Sequence, residues 1–149
     1  YAAYFYRRSQ KGGFDAVLMT QGMEAIKANI ESIETNENAT DKDEDLLTTM
    51  EVVYEYYLRG FDFLPIDIYK SHATKFLVED GKILPPFVAI SGLGENAAWD
   101  LMRGREGKTF LSIEEVAAAC PKVSKTHIQM LKDAGAFGSL PDTSQISLF

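Results

Sequence analysis

Apolar residues recur at helical spacing from Phe14 to Ile33, at Val17, Leu18, Met23, Ile26, Ile30 and Ile33. Asp15 stands where a side-chain oxygen can accept from the first amides of a helix, and Gly22 interrupts the run, so the pattern predicts one broken helix or two. Glu34 to Lys42 has no apolar period and reads as a solvated loop. The next run is the clearest. Leu46, Met50, Val53, Tyr54 and Tyr57 form one stripe, Asp43, Glu44 and Asp45 sit where a helix dipole favours acid, and Gly60 marks the end. The tyrosines on that stripe read as core.

Phe61 to Tyr69 holds Pro65 and alternates poorly, which predicts an extended connector. Thr74 to Val78 and Lys82 to Leu84 flank Glu79-Asp80-Gly81, and Asp-Gly between apolar runs predicts a β-hairpin. Beyond Pro85-Pro86 the text turns helical again. Helices are expected from about Glu95 to Arg103, from Ser112 to Cys120 and from Ser124 to Ala134, with the two serines as caps and Gly135 as the last stop. The fold class is therefore mostly α, with a small β-hairpin dividing the chain.

A chain of 149 residues buries roughly two-thirds of its unfolded surface and folds without covalent staples. The lone Cys120 excludes an internal disulfide and a multi-thiolate zinc site and suits a reducing cytoplasm. No apolar run reaches the ~18 residues of a membrane span, so no membrane partner is expected. The apolar start Tyr1 to Tyr6 has neither Met nor a basic flank, which reads as a piece of a longer chain rather than a signal peptide. Net charge is −7, and its distribution matters more than its sum: residues 1–80 carry eight Lys/Arg against fifteen Asp/Glu, while residues 81–149 carry seven of each. All the excess acid sits in the first half.

Three signals for chemistry fail on spacing. Asp41, Asp43 and Asp45 match the opening of an EF-hand loop, but Leu46 occupies the position of its obligatory glycine and Val52 that of its final carboxylate. Gly107-Lys108-Thr109 resembles the end of a phosphate-binding P-loop, but Met102 stands where the first glycine belongs. Gly92 to Ala97 fits G-x-G-x-x-A with Glu114 at the distance of a ribose-binding acid, yet Phe110 to Val116 reads as a helix start rather than the required strand. His72 and His127 have no partner pattern, and no catalytic residue or metal ligand is assigned.

Gly92-Leu93-Gly94 lies between Phe87-Val88-Ala89-Ile90 and a helix. Two glycines around one apolar residue allow a sharp turn that points amides outward at a helix N-terminus, where an anion is favoured. Arg103, Arg105 and Lys108 follow and can add charge along a nucleic-acid backbone. Residues 112–134 repeat the plan around Pro121-Lys122-Val123 without a glycine, with Ser124, Lys125 and Thr126 able to hold a phosphate through hydroxyls and an ammonium. The alternatives are a helix-hairpin-helix that grips duplex DNA without reading sequence, and a tight helix connection in a protein-interaction module.

The motifs Leu84-Pro85-Pro86-Phe87, Gly92 to Ala98, Phe110-Leu111-Ser112, Val123 to Thr126, and Ser139 to Asp142 leading into Gln145-Ile146-Ser147-Leu148-Phe149 resemble the C-terminal end of PolC-type DNA polymerase III α subunits. Tyr1 to Phe5, Gly22 to Ile30 and Asp67 to Ser71 are similar to the segment before that end. The resemblance implies that residues 1–81 belong to the end of the polymerase fingers. It implies a duplex-binding tandem helix-hairpin-helix domain at 82–141 and a flexible tail at 142–149 that docks on the sliding clamp. Gln145, Ile146, Ser147, Leu148 and Phe149 are then the clamp peptide, with Ile146 standing where the family usually carries Leu and weakening the docking. The catalytic palm with its Mg2+ is implied upstream, so this piece lacks nucleotidyltransferase activity of its own. The partners implied are duplex DNA behind the primer terminus, the sliding clamp and the rest of the polymerase chain.

Overall fold

The computed structural model describes residues 1–143; Ser144 to Phe149, and with them the expected clamp peptide Gln145 to Phe149, lie outside the described residues. Seven α-helices are assigned among the described residues: α1 (Ala2–Ser9), α2 (Ala16–Met19), α3 (Met23–Glu34), α4 (Asp41–Leu58), α5 (Glu95–Arg105), α6 (Ile113–Ala119) and α7 (Lys125–Asp133). A hairpin of β1 (Leu77–Glu79) and β2 (Lys82–Leu84) and a 3-10 turn (Phe87–Ala89) separate α4 from α5. The expected mostly α fold with one small hairpin is the fold observed.

The broken helix resolves into two. Asp15 Oδ1 accepts from the amides of Val17 at 3.0 Å and Leu18 at 3.3 Å, starting α2, and Gly22, the N-cap of α3, takes φ +105°, a conformation in which any other residue is strained. α4 starts earlier than its acids indicate, because Thr40 and Asp43 close a reciprocal capping box. Its buried face is also shifted: Tyr56 is in the core beside Met50 and Val53, whereas Tyr54 is half-buried. Tyr57 reaches across instead, its hydroxyl donating to the Met19 carbonyl at 2.7 Å and so tying α4 to α2.

The hairpin pairs Leu77 with Leu84, Val78 with Ile83 and Glu79 with Lys82. Its two-residue turn, Asp80 at φ +53° and Gly81 at φ +75°, is left-handed at both positions, which matches the twist of the strands it joins. The connector becomes a third rung of this small sheet. Phe63 bridges Ile83 in parallel, and the Leu64 amide donates to the Ile83 carbonyl at 2.8 Å.

α1 escaped the apolar pattern, being short and uncapped by any side chain. Tertiary packing makes it. Phe5 is fully buried at the centre of an aromatic cluster, its ring 5.2 Å from Phe14, 5.7 Å from Phe63 and 5.8 Å from Tyr56. Arg8 on the same helix donates to Thr49 Oγ1 at 2.9 Å and to the Asp45 carbonyl at 2.7 Å, fastening α1 to α4. The apolar cluster continues from Phe5 through Ile83 and Phe87 to Leu101, Val116, Leu131 and Phe137. The division expected between residues 81 and 82 thus falls in the hairpin turn, and the core passes beneath it.

Replacing Phe5 by Ala is expected to cost about 3–5 kcal/mol, since it empties the middle of this cluster. Urea unfolding followed by far-ultraviolet circular dichroism and by Trp99 fluorescence checks this. The two signals should move together to lower denaturant, because one core serves both halves.

Candidate nucleic-acid interface

The two hairpins share one closure. The Leu93 amide donates to the Ile90 carbonyl at 3.1 Å, and the Val123 amide donates to the Cys120 carbonyl at 3.0 Å. Leu93 at 3% and Val123 at 7% exposure plug each turn into the core, and the next residue, Gly94 or Ser124, is the N-cap of a helix. Leu93 therefore offers only its main chain to a ligand. The repeat is incomplete in one respect: Gly92 takes φ +91°, whereas Lys122, which matches it in position, is not left-handed.

The glycines of the first hairpin do different things. Gly92 needs its positive φ, and a Cβ there would approach Met130 Cε on α7 to 2.8 Å, so the first hairpin packs on the second unit. Gly94 has an ordinary φ of −76°, and a Cβ there would meet nothing within 4 Å. No side chain caps α5. Gly94, Glu95 and Asn96 are exposed, so the start of α5 faces solvent, which suits approach of an anion.

At the second hairpin Ser124 Oγ accepts from the His127 amide, and the Ser124 amide donates to His127 Nδ1, both at 3.2 Å. This capping box holds the start of α7 with Lys125 and Thr126 exposed. His127 is thereby explained, as is His72, whose Nδ1 accepts from the amides of Thr74 and Lys75. Burial, with Lys75 and Arg105 nearby, lowers the pKa of His72 below its ordinary value.

The three cations expected to follow the first hairpin separate. Arg103 Nη2 pairs with Asp100 Oδ1 at 2.7 Å and donates to the Ala119 carbonyl at 3.0 Å. Arg105 Nη1 donates to the carbonyls of Ile68 at 3.1 Å and Ser71 at 2.5 Å, and its guanidinium lies 5.8 Å from the centre of the Phe87 ring. Desolvation lowers the Arg105 pKa, opposed by Asp67. Both arginines are thus bound to the fold, whereas Lys108 is exposed on an open cleft beside Thr109, Phe110 and Glu115.

Asp100, to which the sequence reading gave no role, is 4% exposed. Its Oδ2 accepts from the Lys122 amide at 2.8 Å, while Oδ1 takes the Arg103 pair. Burial pushes its pKa up, but the Lys122 amide and the Arg103 guanidinium outweigh that and hold it below the ordinary carboxylate value. Gly104 was likewise missed. A Cβ there would lie 2.8 Å from the Ala119 carbonyl and press on Cys120 Sγ, so α5 and α6 touch backbone to side chain. The acid three residues before Arg103 was the only local signal for either.

The segment after α7 is anchored further than a free linker would be. The carbonyls of Pro141 and Asp142 accept from the amides of Ile113 at 2.9 Å and Glu114 at 3.1 Å, and the Asp142 carboxylate pairs with Lys132 Nζ at 2.7 Å. Among the described residues no cluster of His, Cys, Asp or Glu could hold a metal, and no helix is long and apolar enough to cross a membrane.

The 3-10 turn and α5 around one hairpin and α6 and α7 around the other, with matching closures and stacked through Gly92 and Gly104, define a tandem helix-hairpin-helix architecture. The chain belongs to the helix-hairpin-helix motif family, whose model matches residues 60–146. Over its whole length it is also similar to proteins named DNA polymerase III PolC-type. It is 42% identical over 151 residues to that of Thermotoga petrophila, 42% over 153 to that of Streptococcus agalactiae serotype III, and 41% over 150 to that of Bacillus cereus. All of this chain is covered in each case, but only 11%, 10% and 10% of the relative, so the chain spans about a tenth of their length.

Because the folded Asp100 carboxyl has a depressed pKa, it contributes stability that is complete above the unfolded value near ~3.9 and is lost as pH falls through the lower folded value. Thermal unfolding between pH 6 and pH 2.5 should show this. The Asp100→Asn variant is expected to start less stable and to lose less stability across that acid limb.

Proposed function

We propose that this chain is the DNA-gripping and clamp-tethering end of a replicative DNA polymerase of the PolC type. The observation that carries the reading is Gly94: its φ of −76° is open to any residue and a Cβ there would meet nothing within 4 Å, so nothing within the chain requires a glycine at the start of α5, which no side chain caps. The Gly92 and Gly94 amides and the first amides of α5 receive one phosphate, while the Leu93 amide closes the turn on Ile90, and Ser124, Lys125 and Thr126 receive another phosphate at the start of α7. Lys108 adds charge beside them. Arg103 and Arg105, expected from sequence to touch phosphate directly, serve by holding the hairpins and the connector in place. Phosphates carry no base identity, so the grip is insensitive to sequence.

In this reading residues 1–81 form the end of the fingers, residues 82–141 the duplex-binding unit, and residues 142–149 the clamp-binding tail. The palm, with its Mg2+ and nucleotidyl-transfer chemistry, belongs to the rest of the polymerase chain, which acts in the cytoplasm. Few cations face the duplex, so affinity of the piece itself is weak and falls steeply with salt. Tethering compensates. A second attachment through Gln145, Ile146, Ser147, Leu148 and Phe149 to a ring on the same duplex raises effective concentration without new DNA contacts. Asp142, assigned to that tail, is itself pinned to α6 and α7.

Titrating a labelled duplex at several salt concentrations tests the grip. The Gly94→Val variant should keep close to its thermal stability, having room for the side chain, and lose at least ~10-fold in duplex affinity; equal binding would refute the hairpin role. Deleting residues 145–149 should abolish binding to the sliding clamp and leave duplex binding and unfolding unchanged. Clamp binding without any salt-dependent duplex binding would instead indicate a protein-interaction module.

A further inference from the structure

We infer that Asp100 and Arg103 are positioning residues for the second hairpin: they hold the turn before Ser124, Lys125 and Thr126 in the placement that lets it share one duplex with Gly92 to Gly94. The inference rests on the duplex-gripping reading above and deepens it. Its basis is a chain of contacts between the two units. Asp100 lies on α5, the helix that the first hairpin opens onto, and its buried carboxylate grips the Lys122 amide inside the second turn. Arg103, one turn along α5, ion-pairs with that carboxylate at 2.7 Å and donates to the Ala119 carbonyl at the end of α6. One acid and one base on α5 thus hold both the last residue of α6 and the turn that leads into α7.

The second turn needs such a brace more than the first. The first is set by glycine, whose φ of +91° at Gly92 is a conformation that other residues avoid. The second has no glycine, and its residue Lys122 donates its amide to Asp100 instead of relying on local backbone preference. A buried carboxylate accepting a main-chain amide and a guanidinium is a directional constraint, because moving the turn would strand a charge away from water. The side chain of Arg103 is 59% exposed, which separates two roles that sequence alone confuses: a direct phosphate contact, or a support for Lys125.

A double-mutant cycle in duplex binding, run on the 149-residue chain, decides between them. Each phosphate held by a cation contributes about 0.9 to the slope of log affinity against log salt. Lys125→Ala should lower that slope by about one contact. Arg103→Gln, an exposed change that leaves the core intact, should lower affinity and slope to a similar extent. Combined with Lys125→Ala it should do nothing more, since a misplaced hairpin has no contact left to lose. Asp100→Asn should behave as Arg103→Gln does, with Lys125 again the non-additive partner. If Arg103→Gln and Lys125→Ala add in both affinity and slope, Arg103 touches phosphate itself and the positioning role is overturned, while the gripping function stands. If Arg103→Gln and Asp100→Asn lower the melting temperature but leave the slope unchanged, the pair serves stability only, and the inference fails. If Lys125→Ala leaves the slope unchanged, the second hairpin holds no phosphate, and the reading fails together with the inference.

Discussion

The buried carboxylate of Asp100 is the point at which the two hairpins become one object. It lies on the helix that follows the first turn and accepts from the backbone of the second, with Arg103 neutralising it and reaching on to the end of α6. A charge placed this deep would be strongly unfavourable alone, and the pairing offsets much of that cost rather than adding large net stability. What it does secure is direction. Apolar contacts such as Leu93 and Val123 in the core tolerate small slides, whereas a carboxylate with an amide on one oxygen and a guanidinium on the other does not.

Around this brace the molecule spends its small residues on approach distances. Gly92 lets the first turn lie on Met130, Gly104 lets α5 meet the end of α6, and Gly94 leaves the main chain at the start of α5 uncovered. A positive φ demands the first and the Ala119 backbone the second, and nothing within the chain demands the third. The phosphate site proposed at Gly94 rests on that contrast, which required coordinates: all three are simply glycines in the sequence.

The aromatic cluster around Phe5 gives these hairpins a base. Phe5, Phe14, Tyr56 and Phe63 come from four separate stretches of the first half, and the same cluster of buried side chains runs on under the β-hairpin to Phe137. The acidic first half therefore does more than precede the hairpin units. Its connector carbonyls at Ile68 and Ser71 also capture Arg105, which half-buries that cation and ties the connector to α5.

Wherever a local rule decides, the sequence was sufficient. The Asp80-Gly81 turn follows from left-handed backbone that few residues tolerate, the caps at Asp15, Ser112 and Ser124 follow from unpaired amides, and Gly92-x-Gly94 before a helix marks the candidate interface. Three things depended on partners distant in the chain and so left no periodic trace. α1 exists because Phe5 is buried by residues up to Phe76; Tyr56 rather than Tyr54 enters the core because of where α4 meets the connector; and Arg105 is held by the carbonyls of Ile68 and Ser71, while Arg103, still largely exposed, reaches the Ala119 carbonyl. The sequence by itself determined which turns and helix starts could form and marked one of them as a candidate anion site. Only the tertiary structure decided which charged side chains the fold engages and which it leaves exposed, because a side chain's partner is fixed by distance in space, and spacing along the chain does not report it.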